Sequence, residues 1–408
     1  MRILVVTQYF WPENFRINDL CAELAKRGHE VTILTGKPNY PSGELFPEYK
    51  ANPSDFVEYE GCQVVRVPIV LRGKSKLSLA LNYLSYPFMA SSLGLRKLKS
   101  KQFDVIFICQ LSPVFLALPG LIYAKRNRVP VVLWVLDLWP ESLKSVGVTK
   151  SNFLLNLVGR FVKIVYSRSD LVLGQSKAFY DGIAQYCDDL NKIKYFPSWP
   201  ETVFENTSYI PIEEVQGYKG FKVLFAGNVG EAQDFSSILH AANLLKAQSV
   251  QVKIFVVGDG RHVNWVKNAI IEQDLGDYVQ LLGRYPLDEM PNFYASADAL
   301  LVTLKESKAF SMTIPGKVQS YMAAGKPILT MLTGEGSRVV EEAQCGLVAR
   351  SGDYKKLAEN VISMAEASQE TLDEFGVNAK SYAKKEFDRD MLITQLENWF
   401  EDVRVKGS

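Results

Sequence analysis

Two apolar patterns alternate along this chain of 408 residues. The segments FDVIFICQ (103–110) and VPVVLWVLD (129–137) are apolar almost throughout, as strands buried on both faces of a parallel sheet must be. Between such runs, apolar residues recur at helical spacing. Ile17, Leu20, Cys21 and Leu24 form one stripe, and Gly28 is placed to end that helix. Strands are predicted at 3–7, 31–35, 64–67, 104–110, 130–136, 171–174 and 193–196. An aperiodic stretch with several prolines and glycines, 196–220, then reads as a linker. The pattern restarts beyond it, with strands at 221–226, 252–257, 279–282, 299–304, 328–332 and 347–349. Strand–helix alternation of this kind predicts an α/β chain of two doubly wound parallel-sheet domains, 1–198 and 199–387, facing a central cleft. In the last segment, 388–408, Met391, Leu392, Leu396, Trp399 and Phe400 share one helical face, so that helix is expected to cross back onto the first domain.

Composition narrows the field. An apolar share of 47% fills two cores, and a net charge of +1 gives no global nucleic-acid footprint. The five cysteines are scattered, odd in number and without a CxxC pair, which argues against a disulfide framework or a thiolate metal site. Reduced thiols in a cytoplasmic protein are the simpler account. The start of the chain reads as a buried strand rather than a leader. One stretch, 77–95 (LSLALNYLSYPFMASSLGL), is apolar but broken by serines, Asn82 and Pro87, and basic residues flank it on both sides. It is too polar for a spanning helix, and an interfacial segment on an anionic membrane fits it slightly better than a core helix.

Candidate chemistry lies at the ends of the expected strands. The run IPGKVQSYMAAGKPIL (314–329) reads as a loop, a helix starting near Gly316, a turn at Gly325 and a strand. A helix start exposes unpaired N–H groups and the positive end of its dipole, and Lys317 adds a full charge, so a diphosphate is the natural guest. Glycines close several strands of the second half (Gly227, Gly258, Gly260 and Gly283), where ligands of open parallel sheets bind. Neither GxGxxG after the first strand nor GxxxxGK[ST] occurs, so dinucleotide and P-loop readings lose support. In the first half, Asp137 follows a buried strand and Glu13 lies in the loop after the first strand, among aromatics and Arg16. Either carboxylate can serve as a general base. The plainer alternatives are a helix cap for Asp137 and a first-turn carboxylate for Glu13.

These segments together resemble a GT-B glycosyltransferase of family 4. The likeness runs through RILVVTQYFWPENFRINDLCAELAKRGHEVTILTG, VLDLWPESL, FAGNVGEAQDF, VVGDGR, LLGRYPLDEMPNFYASADALLVTL and IPGKVQSYMAAGKPIL. The TQYFWPENFRI opening and the DLWPES segment are most similar to bacterial O-antigen and capsule transferases, in particular N-acetyl-L-fucosamine (L-FucNAc) transferases. The resemblance implies a UDP-sugar on the second domain. It implies a polyprenyl-diphosphate-linked acceptor, such as GlcNAc-diphosphate-lipid, on the first, with the protein peripheral at the cytoplasmic face of the membrane. It places the base at Arg284 and Tyr285, and the diphosphate near Gly227, Asn228, Gly230 and Gly258. Gly316, Lys317 and Val318 would form the anion-binding helix start, with Arg261 as a weaker ligand. Two glutamates that family members usually carry fall at Met312 and Ser320 here. Ser320 remains able to hydrogen-bond a ribose hydroxyl, whereas Met312 cannot replace a carboxylate.

The mechanism expected from this has Lys317 stabilising the departing UDP and Asp137 or Glu13 taking the acceptor proton, with no metal and no cofactor beyond the donor substrate. The altered glutamate pair leaves retention and inversion both open. Two other readings compete: a non-hydrolysing UDP-sugar epimerase, and a non-catalytic sugar-nucleotide-binding or scaffold protein.

Overall fold

The structure is a computed structural model of the whole chain, and residues 1–73, 75–145, 151–205 and 209–407 are described. The chain divides into two compact units, residues 1–196 with 390–408, and residues 197–389. In the first unit the strands are β1 (Arg2–Val6), β2 (Glu30–Gly36), β3 (Glu58–Tyr59), β4 (Cys62–Val67), β5 (Val105–Gln110), β6 (Val131–Val135), β7 (Leu171–Gly174) and β8 (Ile193–Tyr195). They form one sheet in the order β3-β4-β2-β1-β5-β6-β7-β8. Every pairing is parallel except the short β3–β4 pair, which the sequence pattern does not announce. Strand order reverses around β1, between β2 and β5, and that reversal is where open sheets hold ligands.

The second unit contains β9 (Phe221–Ala226), β10 (Val252–Val257), β11 (Val279–Gly283), β12 (Ala299–Thr303), β13 (Ile328–Met331) and β14 (Gly346–Ala349). They pair entirely in parallel in the order β11-β10-β9-β12-β13-β14, reversing at β9. Apolar side chains from both faces of this sheet build two cores. One includes Leu224, Phe255, Phe293 and Tyr321, and the other Phe225, Ile238, Val256 and Leu329. Alternate residues of β9 therefore serve opposite cores, as a pleated strand requires.

The stretch expected to be a linker, 196–220, is packed over much of its described part, and its residues 206–208 lie outside the described residues. Trp199 is fully buried, a 3-10 turn spans Thr202–Glu205, and a short helix spans Glu213–Gln216. Prolines and a lack of period hid a packed segment that belongs to the second unit from Pro197 onward.

The terminal helix Arg389–Gly407 lies with the first unit, where Phe400 meets Phe107 edge to face at 5.6 Å and Trp399 meets Phe196 at 6.0 Å. Glu397 accepts from Arg27 at 2.8 Å and bonds His29 at 2.7 Å. The apolar stretch 77–95 begins as the helix Lys76–Met89, capped by Ser75, and continues through a wider turn, Ala90–Gly94. Asn82, Tyr86 and Ala90 are buried, while Leu77, Leu81, Leu84 and Phe88 are exposed. Among the described residues no helix is long and apolar enough to cross a membrane.

Candidate active site

In the second unit the loops after β9, β10 and β11 meet the start of the helix Gly316–Ala324. Tyr321 fixes that helix: its hydroxyl accepts the Ala226 N–H, at the end of β9, at 3.0 Å. Lys317 lies one turn earlier on the same helix face, which brings it beside Gly227. A Cβ at Gly227 would stand 2.8 Å from Lys317 Nζ, so glycine there makes room for the ammonium. A Cβ at Gly258 would collide with the Gly227 carbonyl, so that position also excludes a side chain. Lys317 Nζ sits 3.6 Å from the centroid of the Phe225 ring. Burial against this apolar wall pulls its pKa down to about 7. Among the described residues no hydrogen-bond or ion-pair partner of the Lys317 ammonium is found.

The cavity beside it, about 790 Å³, is lined by Gly227, Arg284, Tyr285, Gly316, Lys317 and Ser320, together with Glu201, Phe204 and Tyr294. A smaller cavity of about 390 Å³ shares Gly227, Arg284 and Tyr285 and adds Asn228, Gly258, Asp259 and Gly260. Tyr285 is exposed and meets Phe293 edge to face at 4.6 Å. Eight of the expected binding residues thus come together. Three do not line either cavity. Val318 is wholly buried in the core and its N–H is bonded to the Pro315 carbonyl at 2.9 Å, so it is not an anion ligand. Gly230 sits in the loop behind Asn228, and Arg261 is exposed on the surface. Asn228 donates to Gln233 at 3.2 Å, so these two amides serve each other. Glu201 was not legible as a site residue; nothing near it in sequence carries chemistry.

In the first unit, Glu13 is almost fully buried and accepts three backbone N–H groups: Phe10 at 3.0 Å, Asn39 at 2.8 Å and Tyr40 at 2.7 Å. It ties the loop after β1 to the loop after β2. Burial raises its pKa to about 7, against the opposing pull of those N–H groups. The aromatics around it mostly stack on one another: Tyr9 on Phe15 at 5.6 Å, and Trp11 on Phe56 at 4.7 Å. Asp137, just beyond β6, is half-buried. One of its oxygens accepts the Trp139 indole N–H at 3.0 Å and the other accepts the Ser142 hydroxyl. It is an oriented carboxylate rather than a helix cap. Another cavity of this unit, about 950 Å³ along β4, is lined by neither Asp137 nor Glu13.

Comparison with known proteins bears on both units. Residues 14–199 match the family described as glycosyl transferase 4-like domain, and residues 220–367 match glycosyl transferases group 1. Two glycosyltransferase domain families thus match the two halves of the chain, and its fold is that of GT-B structures. It is 30% identical over 250 residues to the probable glycosyltransferase WbjE of Pseudomonas aeruginosa, covering 59% of this chain and 61% of that one. The chain thus matches somewhat under two thirds of that relative's length. It is 23% identical to WcaI of Escherichia coli, named for colanic acid biosynthesis, over 80% of this chain and 82% of that one. Among solved structures, HepE of Anabaena in complex with UDP superposes with a TM-score of 0.72 at 16% identity, covering 98% of this chain and 100% of that one. At that identity the likeness speaks for the fold alone.

Proposed function

We propose that this transferase moves a sugar, best matched by N-acetyl-L-fucosamine, from a UDP-sugar to a polyprenyl-diphosphate-linked acceptor such as GlcNAc-diphosphate-lipid, in the assembly of a surface polysaccharide. The observation that carries the donor half is Lys317: an ammonium against the Phe225 ring with no hydrogen-bond or ion-pair partner among the described residues, at a helix start, in a glycine-lined cavity. A diphosphate supplies its missing counter-charge and meets the helix dipole as well. As the glycosidic bond breaks, negative charge grows on the leaving UDP, and Lys317 stabilises it. The same charge does the work a divalent ion would otherwise do, so turnover is expected to survive EDTA. Asp137 is the favoured base for the acceptor hydroxyl, since both its oxygens are held in place by side chains. Glu13 is better read as the residue that shapes the loop.

The acceptor half is supported by one face of the first unit. The chain's net charge of +1 hides a strong asymmetry: residues 61–169 carry sixteen Lys and Arg against three acidic residues, Asp104, Asp137 and Glu141. The helices Lys76–Met89 and Asn152–Ser167 both lie in this stretch. Right-handed crossovers put β4-to-β5 and β6-to-β7 connections on the same face of the sheet. Both helices pack against the turn Val114–Ala117, the second through Phe161 on Phe115 at 5.0 Å. The first exposes Leu77, Leu81, Leu84 and Phe88, and the second Phe153, Leu154, Leu157 and Ile164. Apolar ridges with a basic surround suit the interface of an anionic bilayer, where a polyprenyl-linked acceptor resides.

The test is a mass-spectrometric transfer assay with UDP-N-acetyl-L-fucosamine and a synthetic GlcNAc-diphosphate-lipid, with UDP-GlcNAc and UDP-GalNAc as control donors. A product heavier by one N-acetylfucosamine residue supports the proposal, and its NMR spectrum settles inversion or retention. Conversion of the donor without any acceptor would instead indicate an epimerase.

A further inference from the structure

The donor cavity contains a carboxylate that an anion-binding pocket does not need. Glu201 lines the cavity together with Arg284, Tyr285, Lys317 and Ser320. It is not there by chance of a loose chain. The Ser320 hydroxyl donates to Glu201 Oε2 at 2.8 Å, and the neighbouring Gln319 amide donates to the Ser198 carbonyl at 2.6 Å. Trp199 between them is fully buried. Residues 198–201 are thus pinned along the helix Gly316–Ala324, and the Glu201 carboxylate is presented beside it.

A negative charge this near a diphosphate site repels the ligand unless it faces a neutral hydrogen-bond donor. A nucleoside diphosphate with its base at Tyr285 and its diphosphate at Lys317 has its ribose between the two. Ser320 is three residues after Lys317, hence one turn along the same helix face. The ribose carries two adjacent hydroxyls, and an ionised carboxylate has lone pairs for both while still accepting from Ser320. Ser320 donates its single hydroxyl hydrogen toward Glu201 and the Gly316 carbonyl, the latter at 3.0 Å, and its one oxygen offers the ribose fewer acceptor sites than the two oxygens of the carboxylate.

Building on the donor reading above, we infer that Glu201 is a nucleotide-binding residue whose carboxylate receives the vicinal hydroxyls of the donor's ribose. Ser320 is its positioning residue. This makes the cavity selective for ribonucleotides as well as for anions.

Calorimetric titration of UDP and 2′-deoxy-UDP into the full chain tests this. Hydrogen bonds to a charged group are worth enough to give about a tenfold preference for UDP over its deoxy form in the wild type. Glu201→Ala is expected to lose about tenfold in UDP affinity and to bind both ligands alike. Lys317→Ala is expected to weaken both ligands together and keep their ratio. Glu201→Gln, nearly isosteric, carries the same comparison should the alanine variant fold poorly. A ratio unchanged in the Glu201 variants, or absent from the wild type, overturns the role of Glu201 while leaving the donor site standing. Failure of the wild type to bind any nucleoside diphosphate overturns both.

Discussion

The two units place an ionisable group at the same point of the same topology, with opposite results. Glu13 follows β1 and Lys317 stands beside the end of β9, and in each sheet that strand is where the order reverses. Burial drives both toward neutrality, Glu13 up to about 7 and Lys317 down to about 7. Yet Glu13 is satisfied from within, by three backbone N–H groups from two loops. Lys317 faces a ring and a glycine. A shifted pKa therefore marks desolvation in both places, and only the partner list separates a group that holds the fold from one that awaits a ligand.

The sharpest way to break this contrast is to remove each group in turn. Lys317→Ala is expected to reduce transfer by at least about a hundredfold, because it removes charge stabilisation at the leaving group. Its melting temperature should not fall, since a desolvated charge leaves with the side chain. A variant with near-normal turnover would take Lys317 out of the mechanism. Glu13→Ala should do the reverse. Three buried N–H groups lose their acceptor, at a cost on the order of 3 kcal/mol, visible as a lower midpoint in urea unfolding. Should Glu13→Gln instead keep full stability and lose all turnover, Glu13 would be the base and Asp137 would not.

A smaller effect concerns the surface. Phe153→Glu with Leu157→Glu should cut flotation with phosphatidylglycerol vesicles several-fold while leaving UDP binding intact. Equal flotation would confine any membrane contact to the helix Lys76–Met89. The subtlest prediction is a proton. The Lys317 pKa is lowered in the free protein, so above about pH 7 the lysine is largely neutral and must regain its proton to meet a diphosphate. UDP affinity should therefore decline as pH rises above 7, up to about tenfold per unit while one proton is linked. Calorimetry in buffers of different ionisation enthalpy should show proton uptake near pH 8, and Lys317→Ala should abolish it.

Much of this architecture is legible in the sequence because the signals are local. Strands such as 221–226 and 252–257 coincide with the observed β9 and β10, since a doubly buried strand must be apolar from end to end. The Lys317 helix start is equally local, as Pro315 and Gly316 sit directly before the charge. What escaped has its partners far away. Ser320 and Glu201 are 119 residues apart, and Glu13 answers to N–H groups at 39 and 40. Exposure escaped too. The apolar stripe of the helix Asn152–Ser167 reads like any core face, although Phe153 is 80% exposed. Periodicity tells that a face is apolar, not what covers it.

The pinning of 198–201 bears on how such enzymes can be taken apart and recombined. The two matched domains end at residue 199 and begin at residue 220, which invites a splice in the interval. A chimera joined at 220 would leave Glu201 and Phe204 on the wrong parent and open one wall of the donor cavity. The physical seam lies at Pro197, ahead of Ser198 and Trp199. Exchange of donor specificity between such transferases should therefore travel with the segment from 197, and grafts cut later should inherit the sheet but not the pocket.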